Sequence, residues 1–163
     1  MSTTDFSDAW SVIRFDEIDS TNDEARRRAQ SGDAGPCWLT AQVQTAGRGR
    51  LGRQWDSPAG NLFATALFVF PRPPAEAALA SYSAGLAVLD AAKGVGVDAS
   101  TLKLKWPNDV LVGDAKLAGI LSFIARALIL AVAIALTGPG AMGLLATMLV
   151  AGASAMADNT INA

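Results

Sequence analysis

The chain has 163 residues, which suits a single domain with a substantial core. Its formal net charge of −2 argues against a general nucleic-acid binder. The chain has no histidine, which rules out Ser-His-Asp and Cys-His catalysis and argues against a zinc site. Its one cysteine, Cys37, cannot form an internal disulfide, and the start of the chain is polar. Both features predict a cytoplasmic protein.

The first elements in chain order are a strand, a helix and a second strand. Residues 12–18 alternate apolar and polar side chains, which predicts the strand. A Ser-Thr-Asn-Asp-Glu run at 20–24 contains a capping box and predicts a helix that ends near Gly32. This start either serves only as a cap or also directs its N–H groups at an anion. The alternating residues 37–45 predict the second strand.

Three glycines and three arginines are interleaved at residues 44–55. Glycines let a ligand approach the backbone closely, and successive N–H groups of a turn can form an anion-binding nest. Arg48, Arg50 and Arg53 add planar cationic groups that suit phosphate and carboxylate oxygens. The segment therefore predicts a loop that closes over a phosphorylated or carboxylated small molecule. The alternative is a solvated basic turn.

The same loop contains a literal G-x-G-x-x-G pattern at Gly47, Gly49 and Gly52. A dinucleotide-binding turn needs a helix directly after this pattern and an acidic residue about 20 positions further on. A strand-like run follows instead, and Arg72 stands where the acid is required. The loop is therefore not predicted to bind a dinucleotide in that manner.

The next elements are a strand, a long helix and a hairpin. The continuous apolar run at 61–70 predicts a strand buried on both faces, and residues 75–93 predict a helix. Residues 102–106 alternate as a strand, and two further short strands reach residue 121 with a turn at 113–114.

This hairpin is predicted to bring Lys105, Asn108, Asp109 and Lys116 together. Lysine, asparagine and aspartate at a strand end suit phosphate and Mg²⁺. A solvated turn with ordinary surface lysines is the alternative.

These motifs, in this order, resemble the catalytic domain of biotin–protein ligases. They are Asp-Ser-Thr-Asn at 19–22, the Gly-Arg loop at 47–55, Lys-Trp-Pro-Asn-Asp at 105–109 and Lys-Leu-Ala-Gly-Ile-Leu at 116–121. The resemblance covers residues 12–121. It implies an α+β fold of the class II synthetase-like kind, with a mixed, largely antiparallel sheet flanked by helices. No helix-turn-helix domain and no nucleic-acid partner are expected.

The resemblance further implies that biotin and MgATP react to biotinyl-5′-AMP, and that biotin then passes to a lysine of a biotin carboxyl carrier protein. It implies that Lys116 and Arg50 are catalytic. The positions carried over to the biotin and biotinyl-AMP site are Ser20, Thr21, Asn22, Gln44, Gly47, Arg48, Gly49, Arg50, Trp55, Lys116 and Gly119. The resemblance assigns the binding of ATP and Mg²⁺ to Lys105, Asn108 and Asp109. It implies no site in which protein side chains alone coordinate the metal. A homodimer paired through sheet edges is compatible with the family.

The sequence departs from the family pattern after residue 121, and residues 127–157 carry no charge. Three interpretations are a replaced C-terminus that impairs the ligase, a membrane segment, and helices that cover the sheet. The first is favoured, with a mostly helical tail because Ala and Leu dominate, although 127–136 is also compatible with a strand. The resulting division is a flexible N-terminus (1–11), the N-terminal part of a catalytic domain (12–121) and an apolar tail outside the family pattern (122–163).

Two other functions remain open at this point. A non-catalytic protein that binds biotin or a nucleotide, or a membrane-associated fragment, is the alternative to an enzyme. A lipoate or octanoyl transferase would share the fold, but the Gly-Arg loop favours biotin.

Overall fold

One seven-stranded sheet with helices on both of its faces makes up the described part of the chain. The computed structural model describes residues 10–70, 73, 76–106, 108–126 and 129–136. The strands are β1 (Ser11–Ile18), β2 (Cys37–Gln44), β3 (Leu62–Val69), β4 (Leu102–Lys105), β5 (Asp109–Val112), β6 (Ala115–Arg126) and β7 (Ile129–Leu136). The long helices are α1 (Thr21–Ser31) and α2 (Ala77–Gly94).

The strand order is β1-β2-β3-β7-β6-β5-β4. β1 and β2 are parallel, and each other neighbouring pair is antiparallel. The predicted mixed, largely antiparallel α+β fold is confirmed. The elements expected up to residue 121 are also present, with shifts of one or two residues at their ends.

β3 is buried on both faces because it contacts a different helix layer on each side. Successive residues of a strand point to opposite faces. Leu62, Ala64 and Ala66 join the core that contains α2, while Leu67 joins a smaller core with Ala25 of α1. The continuous apolar run in the sequence therefore reflects two cores, one above and one below the sheet.

Helix α1 begins with the predicted serine cap. Ser20 Oγ accepts a hydrogen bond from Asp23 N at 3.4 Å, and Gly32 ends the helix with a positive φ of 97°. The reciprocal half of the capping box is absent. Ser20 N donates a hydrogen bond to Asp19 Oδ1 at 2.7 Å. The Asp23 carboxylate forms an ion pair with Arg26 at 3.0 Å instead of accepting a hydrogen bond from Ser20 N.

Replacing the cap gives a first test of this local structure. Ser20→Ala should lower the free energy of unfolding by about 0.5–2 kcal/mol, because Asp23 N loses its acceptor. Urea unfolding followed by circular dichroism measures this change. Ser31→Ala is the control, because Ser31 Oγ only donates to Arg28 O at 2.8 Å at the exposed helix end. An equal loss at both positions would contradict the capping role of Ser20.

The sheet continues beyond the predicted boundary at residue 121. Residues 122–126 extend β6, and β7 lies between β3 and β6, paired with both along its length. The favoured helical conformation is corrected for these residues. Backbone pairing on both sides outweighs the helix propensity of Ala and Leu, and Ile129, Val132 and Ile134 supply β-branched side chains.

Of the predicted flexible N-terminus (1–11), residue 11 already belongs to β1, and residues 1–9 lie outside the described part of the chain. Residues 137–163 of the predicted tail also lie outside it, so the predictions for both ends stay predictions there. In the ranges that the structure describes, no helix has the length and apolar character needed to cross a membrane.

Candidate active site

A cavity of about 440 Å³ lies where the start of α1, the Gly-Arg loop, β3 and the β5–β6 hairpin meet. Polar and charged side chains from well-separated stretches of sequence line it. The lining residues are Ser20, Thr21, Asn22, Gln44, Arg48, Gly49, Leu51, Arg53, Gln54, Trp55, Phe63, Asn108, Asp109, Lys116, Gly119 and Leu121. The site motifs of the sequence therefore converge on one cavity.

Two of the described residues that were expected at the site, Gly47 and Lys105, are not among those that line the cavity. Gly47 lies at the base of the loop, close to Ser57. Lys105 is exposed on β4 and pairs in register with Asp109 across the β4–β5 ladder. The backbone of Arg50 belongs to the loop, but its side chain lies outside the described part of the structure.

Arg53, predicted as one of the anion-binding arginines of the loop, lines the cavity. Four further lining residues had no predicted role: Leu51, Gln54, Phe63 and Leu121. The period of two along a strand could have predicted Leu121 from Gly119. Phe63 has no such signal, because every residue in its stretch of β3 is buried.

The Gly-Arg loop is a small hairpin. Gly49 N donates to Arg53 O at 2.7 Å, Trp55 N donates to Gly47 O at 3.0 Å, and a β-bridge joins Arg48 to Gln54. A Cβ atom on Gly47 would lie 2.6 Å from Ser57 Oγ and 2.9 Å from Trp55 O. The base of the loop therefore requires glycine at position 47.

The tip of the loop extends into solvent. Leu51 has a positive φ of 60°, and its side chain is 86% exposed although it lines the mouth of the cavity. An exposed leucine in the left-handed region is uncommon, and such positions occur at ligand clamps.

Lys116 connects the hairpin to the loop. Its Nζ lies 2.7 Å from Asp109 Oδ1 and 4.6 Å from the ring centroid of Trp55. A Cβ atom on Gly119 would lie 2.9 Å from Trp55 Cη2 and 3.2 Å from Lys116 Nζ. The absence of a side chain at Gly119 therefore lets the indole and the ammonium group stack in the cavity.

The start of α1 is tied to the end of β2. Thr21 N donates to Gln44 Oε1 at 2.9 Å, and Thr21 Oγ1 donates to the same oxygen at 3.1 Å. The first helical N–H group therefore binds an internal acceptor, which disfavours the expectation that it faces a ligand anion.

Asp19 fixes the approach to this helix. Its carboxylate accepts two hydrogen bonds from the Arg27 guanidinium, both at 2.8 Å, and its carbonyl accepts Ala46 N at 2.8 Å. The Arg27 hydrogen bonds lower the pKa of Asp19 from its ordinary 3.8 to about 2. Asp19 thereby links β1, α1 and the start of the Gly-Arg loop.

The shifted pKa of Asp19 gives a pH-dependent prediction. Because the folded-state pKa is depressed, the stabilisation is present above pH 4 and is lost as the pH falls from about 4 to 2. The difference in unfolding free energy between the native chain and Asp19→Asn should shrink over that window. Both side chains are nearly half exposed, so the full difference should be about 0.2–1 kcal/mol. A difference that stays constant from pH 6 to 2 would contradict the assignment.

No group of three or more Asp, Glu or Cys residues that could hold a metal ion occurs among the described residues. Oxygen donors do line the cavity, at Asn108 and Asp109. One carboxylate and one amide suit Mg²⁺ only when other ligands, such as phosphate oxygens and water, complete the coordination.

The sequence model of the Biotin/lipoate A/B protein ligase family matches residues 14–138. The biotin–[acetyl-CoA-carboxylase] ligase of Paracoccus denitrificans is 49% identical over 104 residues, 63% of this chain and 42% of that protein. The bifunctional ligase/repressor BirA of Escherichia coli K12 is 40% identical over 118 residues, 70% of this chain and 35% of BirA. The chain thus spans less than half the length of either relative.

Among solved structures, the biotin protein ligase of Aquifex aeolicus in complex with biotin and ATP superimposes with a TM-score of 0.74. The superposition covers 91% of this chain and 71% of that one, at 25% sequence identity. The family match extends through β7, beyond the boundary expected at residue 121. Because the family model matches well over half of the chain, the chain belongs to the biotin/lipoate A/B protein ligase family.

Proposed function

We propose that the chain is an ATP-dependent biotin–protein ligase. It forms biotinyl-5′-AMP from biotin and ATP and transfers the biotinyl group to a lysine of a biotin carboxyl carrier protein. The observation that carries the proposal is the convergence of the arginine loop, Lys116 and the Thr21–Gln44 pair on one cavity. The named functions of the similar Paracoccus and Escherichia proteins support it.

The first step needs positive charge and no histidine base. A carboxylate of biotin is ionised at neutral pH and attacks the α-phosphorus of ATP. A C–O–P linkage forms, the bond between the α- and β-phosphates breaks, and pyrophosphate leaves. Lys116, Arg48 and Arg53 line the cavity and can stabilise the negative charge that develops, and Arg50 is proposed to add to them.

Mg²⁺ would enter with the phosphates of ATP, with Asp109 and Asn108 as protein ligands. When bound, the ion screens phosphate charge and supports departure of pyrophosphate. Lys105, outside the cavity lining, is assigned only a longer-range attraction for these phosphates.

In the second step the amine of the carrier lysine attacks the carbonyl of the mixed anhydride, an amide bond forms, and AMP leaves. The adenylate hydrolyses if water reaches it, so the loop over the cavity has a protective role. We assign this chemistry to one unit that runs from β1 through β7.

Loop ordering by ligand is a further expected result. Amide hydrogen exchange of residues 46–55 should slow when biotin and MgATP are added together, because bound anions hold the cationic loop closed. Mass spectrometry of peptides from this segment measures the rate, with peptides from α2 as the internal control. Unchanged exchange in the loop would contradict its role as a lid.

The direct test of the full reaction uses a purified carrier domain. After incubation with the chain, biotin and MgATP, mass spectrometry should detect one biotinylated lysine in that domain. Omission of ATP should abolish the modification. An unmodified carrier, together with biotin binding but no pyrophosphate release, would favour a binding module over a ligase.

A further inference from the structure

We infer that Ser57 and Thr65 are positioning residues that hold the polar end of the cavity in its binding geometry. Neither residue lines the cavity. This inference rests on the proposed function, since it concerns how the site prepares to bind biotin.

A chain of hydrogen bonds runs from β3 to the Gly-Arg loop. Thr65 Oγ1 donates to Thr21 Oγ1 at 2.9 Å, and Thr21 Oγ1 donates to Gln44 Oε1 at 3.1 Å. Gln44 Nε2 donates to Ser57 Oγ at 3.2 Å, and Ser57 Oγ donates to Trp55 O at 3.1 Å. The two cavity residues in the middle, Thr21 and Gln44, therefore each depend on a hydroxyl behind them.

The donor and acceptor roles along this hydrogen-bond network are fixed by one group, the backbone N–H of Thr21. Thr21 N can only donate, and it lies 2.9 Å from Gln44 Oε1. The Gln44 amide oxygen must therefore face α1, so its nitrogen faces Ser57. Each hydroxyl has a single proton, which Thr21 gives to Gln44 and Ser57 gives to the Trp55 carbonyl. The network thus selects one of the two orientations of the Gln44 amide.

Burial makes these contacts important in the folded chain without ligand. Thr65 is fully buried, and Ser57 and Thr21 are 7% and 3% exposed. A buried hydroxyl that loses its partner costs about 1–3 kcal/mol. The side chains of Thr21 and Gln44 are consequently ordered before a ligand arrives, which lowers the entropic cost of binding.

Each positioning residue also reaches a second part of the site. Thr65 Oγ1 lies 3.3 Å from Asn22 Oδ1, so it contacts two residues at the start of α1. Ser57 O accepts Gln44 N at 3.4 Å, and its Oγ is the nearest atom to a Cβ placed on Gly47. Ser57 therefore connects the end of β2 to the base of the Gly-Arg loop, whose Trp55 stacks with Lys116.

The test measures biotin binding to the full chain by isothermal titration calorimetry. Thr65→Val keeps the side-chain shape and removes the hydroxyl, and Ser57→Ala removes the hydroxyl of Ser57. Thr65→Ser retains the hydroxyl at position 65 and removes only the methyl group. Thr40→Val is the matched control, since Thr40 is also a buried strand threonine, does not line the cavity, and its Oγ1 donates to Ile13 O at 3.5 Å outside the network. Urea unfolding of each variant confirms that it is folded at the titration temperature.

Thr65→Val and Ser57→Ala should each raise the Kd for biotin about 5- to 30-fold. Thr65→Ser and Thr40→Val should stay within about twofold of the native chain. In the adenylation reaction KM for biotin should rise more than kcat falls, a split that a loss of stability alone would not produce.

Three outcomes decide the inference. Native-like Kd values for folded Thr65→Val and Ser57→Ala would overturn it and leave the ligase assignment intact. A native chain that does not bind biotin would overturn both. If Thr65→Val does not fold, Ser57→Ala against Thr40→Val decides the question by the same Kd criterion.

Discussion

Lys116→Met should reduce the rate of biotinyl-5′-AMP formation about 10²–10³-fold, equivalent to about 2.7–4 kcal/mol of transition-state stabilisation. Methionine keeps the length and apolar stem of the side chain and removes the charge. The ammonium group lies in the cavity between Asp109 and the Trp55 ring, next to Gly119. A single-turnover assay of adenylate formation measures the effect separately from product release.

Lys103→Met is the matched control for this experiment. Lys103 lies on the neighbouring strand β4, is exposed, and has only a long 3.9 Å contact with Asp114. The same change of charge at that position should leave the adenylation rate within about twofold of native. Equal losses in the two variants would show that net charge matters, and would remove Lys116 from the catalytic role.

Gly119→Ala should lower adenylation about 10- to 100-fold, because one methyl group displaces two site residues. The added Cβ would lie 2.9 Å from Trp55 Cη2 and 3.2 Å from Lys116 Cε and Nζ. The indole and the ammonium group must both move, and displacements of about 1 Å at a reacting centre can cost up to 10²-fold in rate. Steady-state kinetics with biotin and ATP measures the loss, and it should fall mainly on kcat.

The control is the same substitution in α2. A Cβ on Gly85 would meet only the ends of two flexible side chains, at 3.3 Å from Leu104 Cδ1 and 3.6 Å from Ile120 Cδ1. Gly85→Ala should therefore keep native activity, and its helix propensity is more favourable. A native rate for Gly119→Ala would mean that the observed stacking of Trp55 and Lys116 has no part in catalysis.

The predictable part of the fold is the part encoded by local periodicity. Alternation in β1 and β2, the apolar run of β3 and the serine cap of α1 each depend on residues close in sequence. The convergence of the loop with Lys116 and Asp109 came from the resemblance, since spacing alone left a solvated turn equally compatible. The predicted turn at 113–114 pairs Val112 with Ala115, but a register shift between Val110 and Leu111 then places Asp109 opposite Gly119, one residue beyond the position that a regular hairpin would give.

The features that were missed depend on pairing between distant segments. β7 is inserted between β3 and β6, about 60 residues from the first of these strands in the sequence, and its composition left helix and strand both open. Lys105 was assigned to the site from its motif, although it is exposed on β4 outside the cavity lining. The positioning role of Ser57 and Thr65 could not be predicted from the sequence, because their hydrogen-bond partners lie 13 and 44 residues away.

The central claim is that the cationic loop and Lys116 act together on a mixed anhydride of biotin and AMP. Liquid chromatography with mass spectrometry, applied to the chain mixed with biotin and MgATP, tests it without a carrier protein. We expect biotinyl-5′-AMP and pyrophosphate in equal amounts, both strongly reduced in Lys116→Met. Intact ATP in the presence of bound biotin, or adenylate formed equally fast by Lys116→Met, would contradict it.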